Sequence, residues 1–395
     1  GRHDPETGLP LRVLDFLKAL DTIVDAAIAE RVDLVIFAGD AYRDRTPAPT
    51  FQREWGRRVM RLSQAGIPLA LLVGNHDLSP AAGRAHALQE FDTLQVPHVT
   101  VLGRPALLGP DDLGGLPLQL IALPWVSRSG LMAALDFSGA EPARVYEEIE
   151  MRLNGLVQGW LGQLDPNLPV VLTAHASVQG AVYGAERSVM LGTDLVLPGS
   201  LVRDPRLDYV ALGHIHKSQN LNEGQHPPVI YPGSIERVDF GEAEQDKFYV
   251  IAHVQRGKTS VEWRKLEGRK FIERSARINS GDEFMAKALA ALPRPEHMAD
   301  AMVRLKLEYP RELEPMLDEQ ALRDHAAAAF EFRLVRQPKV EARLRLVGDQ
   351  AISSLTPLDL LDRYLDTARV MPGESSQLHD LAAQLMRDDA GEGGA

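Results

Sequence analysis

Tyr209-Val210-Ala211-Leu212-Gly213-His214-Ile215-His216 is the stretch on which the fold turns. Four apolar residues without a polar interruption read as a strand buried on both faces, the kind found in parallel sheets covered by helices. Gly213 ends the run, and two histidines follow at a spacing of two. On an extended backbone that spacing sends both rings to the same side, which a helix would not do. Three further runs end in the same manner: Val32 to Ala38 at Gly39-Asp40, Ile67 to Val73 at Gly74-Asn75-His76-Asp77, and Val170 to Thr173 at Ala174-His175. Strand-end loops are where α/β proteins place their chemistry, because a rigid sheet aims distant side chains into one crevice.

Between these runs the apolar period changes to three and four. Leu11 to Ala29, Thr50 to Gln64 and Ala143 to Leu161 read as helices, and Leu118 to Leu123 as another buried strand. Strand and helix alternating at this spacing predict an open α/β sheet with crossovers. Val229 to Tyr231 leads into Pro232-Gly233-Ser234, and Phe248 to Val254 with Val261 to Lys265 predict an antiparallel pair. Composition shifts near Gly268. Phe271–Ile278, Asp282–Leu292, Met302–Leu307, Asp318–Ala329 and Phe330–Val335 then read as a compact βαβαβ module. Thr356-Pro357 opens a helix, with Leu358, Leu361 and Leu365 on one stripe. Pro372-Gly373 breaks it, and Leu378, Leu381 and Leu385 mark a second. The expected boundaries are 1–267, 268–347 and 355–388, with an acidic, Gly-rich disordered tail at 389–395.

The bulk numbers fit an enzyme. Apolar content of 45% and charged content of 25% are those of an ordinary globular chain, and 395 residues suffice for two domains. With no cysteine there is no thiolate site, so a metal must be held by nitrogen and oxygen. No apolar run approaches the roughly 18 residues of a membrane span, and the chain reads as cytoplasmic. The net charge of −12 argues against a surface that is one nucleic-acid footprint, so DNA would meet local basic patches.

The four loops supply what two divalent metals need to hold a phosphate. A bridging anion lets two ions sit about 3.5–4 Å apart, and Asp40, behind a small Gly39, suits that role. Asn75 adds a neutral oxygen ligand, and His175, His214 and His216 add imidazoles. His76 follows a ligand but points the other way, toward the phosphate. There it could protonate the leaving alkoxide, its ring oriented by Asp77 or by a backbone carbonyl. His3, His86, His98, His226, His253, His297, His325 and His379 read as structural or surface histidines.

This set of residues resembles the calcineurin-like metallophosphoesterases. Tyr209 to Lys217, followed by Tyr231-Pro232-Gly233-Ser234-Ile235-Glu236-Arg237 and Phe240-Gly241-Glu242, is similar to the narrower group of SbcD-type nuclease subunits of bacterial SbcC–SbcD repair complexes. The resemblance spans nearly the whole chain. It implies an α/β metallophosphoesterase core of mixed sheets flanked by helices, a small βαβαβ capping domain and a C-terminal helix pair. It further implies a nuclease with two Mn2+ per chain (Mg2+ being possible), acting as a 3'-5' exonuclease on duplex DNA and an endonuclease on single strands and hairpins. An SbcC-type ATPase would gate it, bound through Leu358, Leu361, Leu365, Leu378, Leu381 and Leu385. By motif, Asp40 would bridge, Asn75, His175 and His214 would hold the second metal, His216 the first, and His76 would be catalytic. The family opens with a strand carrying Asp-x-His, whereas this chain begins Gly1-Arg2-His3-Asp4. About twenty further residues, one strand and its loop, are therefore expected ahead of it in the natural protein.

Arg43, Arg45, Arg53 and Arg84 flank the loops and are candidate phosphate contacts. Trp55, Val59, Met60 and Leu62, with Leu88 and Phe91, are candidate dimer contacts in a homodimer. Two other readings stand beside the nuclease: a stand-alone phosphatase or cyclic-nucleotide phosphodiesterase, and a catalytically silent scaffold that binds DNA ends.

Overall fold

The computed structural model describes residues 2–78, 84–126, 142–184, 196–339, 356, 358, 361–362, 364–365 and 372–392. They fall into two compact units, Gly1–Pro338 and Lys339–Ala395.

The first unit holds two sheets face to face. One is parallel, in the order β1 (Val35–Phe37), β2 (Leu69–Leu72), β3 (Val99–Leu102). The other has six strands. Its parallel centre is β5 (Gln119–Leu123), β6 (Val170–His175), β9 (Tyr209–Gly213) and β11 (Val229–Tyr231), with β4 (Ala106–Leu108) and β10 (Gln219–Asn220) antiparallel at its edges. The short strands β7 (Ser177–Val178) and β8 (Val196–Leu197) pair in parallel beside it. Alternation along each strand decides what meets what. Ala70 and Leu72 face Leu120, Ala122, Val171 and Tyr209 in the core between the sheets. Leu69, Leu71 and Val73 point the other way, onto α1 (Leu11–Glu30), α2 (Pro49–Gln64) and Phe91 of α3 (Gln89–Thr93). Ile121, Leu123, Leu172, Val210 and Leu212 likewise pack outward against Leu153, Val157 and Leu161 of α4 (Pro142–Leu161). Leu71, Leu72, Leu120 and Ile121 are fully enclosed, each worth about 1.5–3 kcal/mol relative to exposure.

The layers are thus helix, sheet, sheet, helix: the mixed sheets flanked by helices that the family resemblance implies, where strand–helix alternation by itself predicts an open sheet. The pattern also passed over β3 and β4, which are short and lie beside prolines and glycines. The candidate dimer face is corrected as well. Trp55, Val59 and Leu62 lie on the inner side of α2, and with Leu88 and Phe91 they are buried in this chain's own core beside Val24 and Tyr42. Met60 is half-buried.

After the antiparallel pair β12 (Lys247–Gln255) and β13 (Lys258–Leu266) comes a three-stranded sheet of β14 (Phe271–Arg277), β15 (Met302–Pro310) and β16 (Glu331–Lys339). Its own core includes Phe284, Ala288, Val303, Leu305 and Leu322. It stays within the same compact unit as the two large sheets. Phe240, Phe271, Met302 and Phe330 form a shared apolar seam, reinforced by the Arg269 guanidinium on both oxygens of Asp15 at 2.7 and 2.8 Å.

In the second unit a helix runs Pro372–Glu392, with proline at its first position. It carries the chain past Asp388, into the stretch whose acidic, Gly-rich composition reads as a disordered tail. Leu358 and Leu361 are half-buried and Leu365 is buried, whereas Leu378 and Leu381 are exposed. The Leu385 side chain lies outside the described residues.

Candidate metal centre

The carboxyl ends of β1, β2, β5, β6 and β9 open on one edge, and the four predicted loops leave from it. Glycines let them come close. A Cβ on Gly39 would overlap the His175 ring, and one on Gly74 would overlap the Asp40 carboxylate. The loops bearing Asp40, Asn75 and His214 can crowd together here because the residue before each of these three has no side chain.

Three donors converge among the described residues: one atom each of Asp40, His175 and His214 lies within 4.8 Å of the others. Asn75 sits between them, its Oδ1 being 3.0 Å from His175 Nε2 and 3.1 Å from His214 Nδ1. His175 Nδ1 donates to Ala38 O at 2.6 Å, which leaves Nε2 as the lone-pair nitrogen of the neutral ring. That nitrogen faces Asp40 Oδ2 at 3.2 Å. Two acceptors so close require positive charge between them: either a proton on Nε2, which the Asp40 carboxylate favours against the effect of burial, or a divalent ion, which a set of carboxylate, amide and imidazole donors suits. The residues fit a metal. Burial works to raise the Asp40 carboxyl, yet His175 in its protonated form, together with the N–H of His76, holds it down to about 2. Asp40 and His214 both adopt positive φ, 61° and 95°, a backbone state that non-glycine residues keep only where their surroundings enforce it. Trp125, which the sequence did not single out, walls the site with its ring centroid 4.9 Å from that of His214.

Asp77 acts differently from its expected role. Fully buried, its carboxylate accepts from the N–H groups of Gly74 at 2.8 Å, Asp40 at 2.8 Å and Ala41 at 2.9 Å. It staples the first two loops together. Burial, with the nearby charge of Asp40, outweighs those donors and pushes its carboxyl up to about 6. Of the two groups proposed to orient the His76 ring, the carbonyl is the one in place: Nδ1 lies 2.7 Å from Arg43 O.

His216 is not in the three-donor group. Its Nδ1 meets Glu242 Oε1 at 2.8 Å, and Glu242 Oε2 meets the buried Lys247 Nζ at 2.6 Å. Burial alone would raise the Glu242 carboxyl, but His216 and Lys247 hold it down to about 2. Sequence reasoning assigned no role to Glu242 or Lys247, although Phe240-Gly241-Glu242 stands among the motif residues.

Arg43, Arg45 and Arg84 are exposed and make no ion pair among the described residues. Arg53 is exposed too, but its guanidinium lies 2.9 Å from Glu54 Oε1, where the Arg57 guanidinium also binds. Its charge is shared with that acid.

Comparison with known proteins agrees with this geometry. Residues 13–218 match the family model described as calcineurin-like phosphoesterase. The Escherichia coli K12 protein named as the SbcD subunit of the nuclease SbcCD is 26% identical over 245 residues, covering 60% of this chain and 59% of that protein. The Archaeoglobus fulgidus protein named DNA double-strand break repair protein Mre11 is 24% identical over 308 residues, 75% of this chain and 64% of its own. A Staphylococcus saprophyticus protein with the same name as the E. coli one is 22% identical over 308 residues, 74% of this chain and 76% of its own. The chain spans about three fifths of the length of the E. coli relative.

Proposed function

Because the chain belongs to the calcineurin-like phosphoesterases, we propose that it is a metal-dependent DNA phosphodiesterase, the nuclease subunit of a repair complex of the SbcC–SbcD kind. The observation that carries this reading is the convergence of Asp40, Asn75, His175 and His214 on one point at the sheet edge. The names of the relatives, a nuclease subunit and a DNA double-strand break repair protein, supply the DNA.

In this proposal Asp40, Asn75, His175 and His214 would hold one divalent ion, Mn2+ or Mg2+, and His216 together with Asp40 would hold another. Bound there, the ions would supply Lewis acidity to the phosphoryl oxygens and make a neighbouring water more acidic. His76 serves as general acid. With Nδ1 given to Arg43 O, its Nε2 carries the proton delivered to the leaving oxygen. Arg43, Arg45 and Arg84 neutralise backbone phosphates, with Arg53 contributing less because it shares Glu54. The exposed Leu378 and Leu381, with the half-buried Leu358 and Leu361 and with Leu385, form the contact for an SbcC-type ATPase that gates cutting; Leu365, being buried, is not part of that contact. Exonuclease action from 3' ends, endonuclease action on hairpins, pairing of two chains and a place at the nucleoid belong to the same proposal.

The test is cleavage of duplex and hairpin DNA in Mn2+ by the wild type and by His76→Ala. Expected is a loss of about 100-fold or more in the variant, with calorimetric Mn2+ binding unchanged. Wild-type protein that binds Mn2+ but cuts only small phosphate esters would contradict the assignment to DNA.

A further inference from the structure

We infer that Glu242, anchored by Lys247, is a positioning residue that fixes His216 with its proton on Nδ1, so that Nε2 is the nitrogen offered to a metal. This rests on the reading of His216 as a ligand. Both Glu242 and Lys247 are 1% exposed, and every approach to the carboxylate is organised. Oε1 accepts from His216 Nδ1 at 2.8 Å. Oε2 accepts from Lys247 Nζ at 2.6 Å, from Ser234 Oγ at 3.1 Å and from the Val238 N–H at 3.1 Å. The His216 backbone is gripped as well, its carbonyl accepting from Ser234 N at 3.1 Å and from Lys247 Nζ at 3.4 Å. Gly233, at φ 86°, allows that grip, since a Cβ there would press into the same carbonyl.

A buried ion pair is a poor way to gain stability, because desolvating both charges offsets their attraction and an apolar pair of similar volume often does as well. Its placement is informative instead. The pair ends on one nitrogen of one ring, and an acceptor on the far nitrogen is how proteins set the tautomer and aim of a metal-binding histidine. His175 is held in the same manner, by Ala38 O on its Nδ1. Two of the candidate imidazole ligands therefore have one nitrogen committed to a fixed oxygen acceptor.

The experiment uses the full chain, with and without Mn2+. Glu242→Leu combined with Lys247→Met removes both charges and the acceptor, whereas Glu242→Gln combined with Lys247→Met removes the charges and keeps an acceptor oxygen. Long-range nitrogen–proton spectra of histidine-labelled, metal-free protein report the tautomer, the His216 signal being the one lost in His216→Asn. Expected is a single Nδ1–H form in the wild type and in the Gln variant, and a mixture in the Leu variant. Calorimetry should show Mn2+ binding weakened about 10–100-fold in the Leu variant and restored in the Gln variant. A wild-type His216 that carries its proton on Nε2 overturns the inference whether or not any variant folds. So does a folded Leu variant with wild-type tautomer and affinity. Unchanged Mn2+ binding in His216→Asn removes His216 as a ligand and the inference with it. If His216→Asn weakens binding and the Leu variant does not, the positioning role alone fails.

Discussion

Asp77 shows how much a single side chain can do without meeting substrate. Three N–H groups converge on its buried oxygens, and one of them belongs to Asp40 itself. Asparagine there offers one oxygen and turns an N–H2 toward a donor. Asp77→Asn is therefore expected to cost about 1–3 kcal/mol in denaturant unfolding and to weaken Mn2+ binding, where His76→Ala spares both. Equal stability and equal binding in Asp77→Asn would rule out the staple. Most donors were legible in the sequence, because an apolar run, a small residue and a polar one make a local pattern. Trp125, Glu242 and Lys247 were not. Lys247 opens a strand like any surface lysine, and Glu242 gains its meaning from a histidine 26 positions away. The role of Asp77 was misread for the same reason: adjacency to His76 suggested a contact that the folded loop directs to backbone groups.

At the level of elements, α2 explains what periodicity can and cannot tell. Trp55, Val59 and Leu62 at intervals of four and three fixed a helix with one apolar face, but not which surface covers it, and the chain's own sheet does. The uninterrupted apolar runs likewise gave strands buried on both faces without revealing which core each face meets, Leu71 turning to one and Leu72 to the other. The opposite side of α2 is tied to α1 through ions. The Arg58 guanidinium reaches Asp21 at 2.6 Å and Glu54 at 3.2 Å. Burial works to raise Glu54, but Arg53, Arg57 and Arg58 together hold its carboxyl below the ordinary value of 4.5. A depressed carboxyl contributes stability that is present above the ordinary value and lost as pH falls through the folded one. Urea midpoints measured from neutral pH down to about pH 3.5 should therefore fall more steeply for the wild type than for Glu54→Gln. Parallel curves would show that these ion pairs contribute nothing.

For the whole molecule, a net charge of −12 makes the placement of exposed arginines matter more than their number. The unit that bears the donors, Gly1–Pro338, is compact without the residues beyond it. Removing residues from Thr356 onward should accordingly abolish co-purification with an SbcC-type ATPase and leave Mn2+-dependent DNA cleavage intact. Retained co-purification would place the partner contact elsewhere. The central claim is narrower: strand-end loops far apart in sequence build one metal centre. Crystals soaked in Mn2+ and measured at the manganese absorption edge test it directly. The expected result is an anomalous peak within coordination distance of Asp40, Asn75, His175 and His214 together; a map empty at that point, with manganese bound elsewhere on the chain, would contradict it.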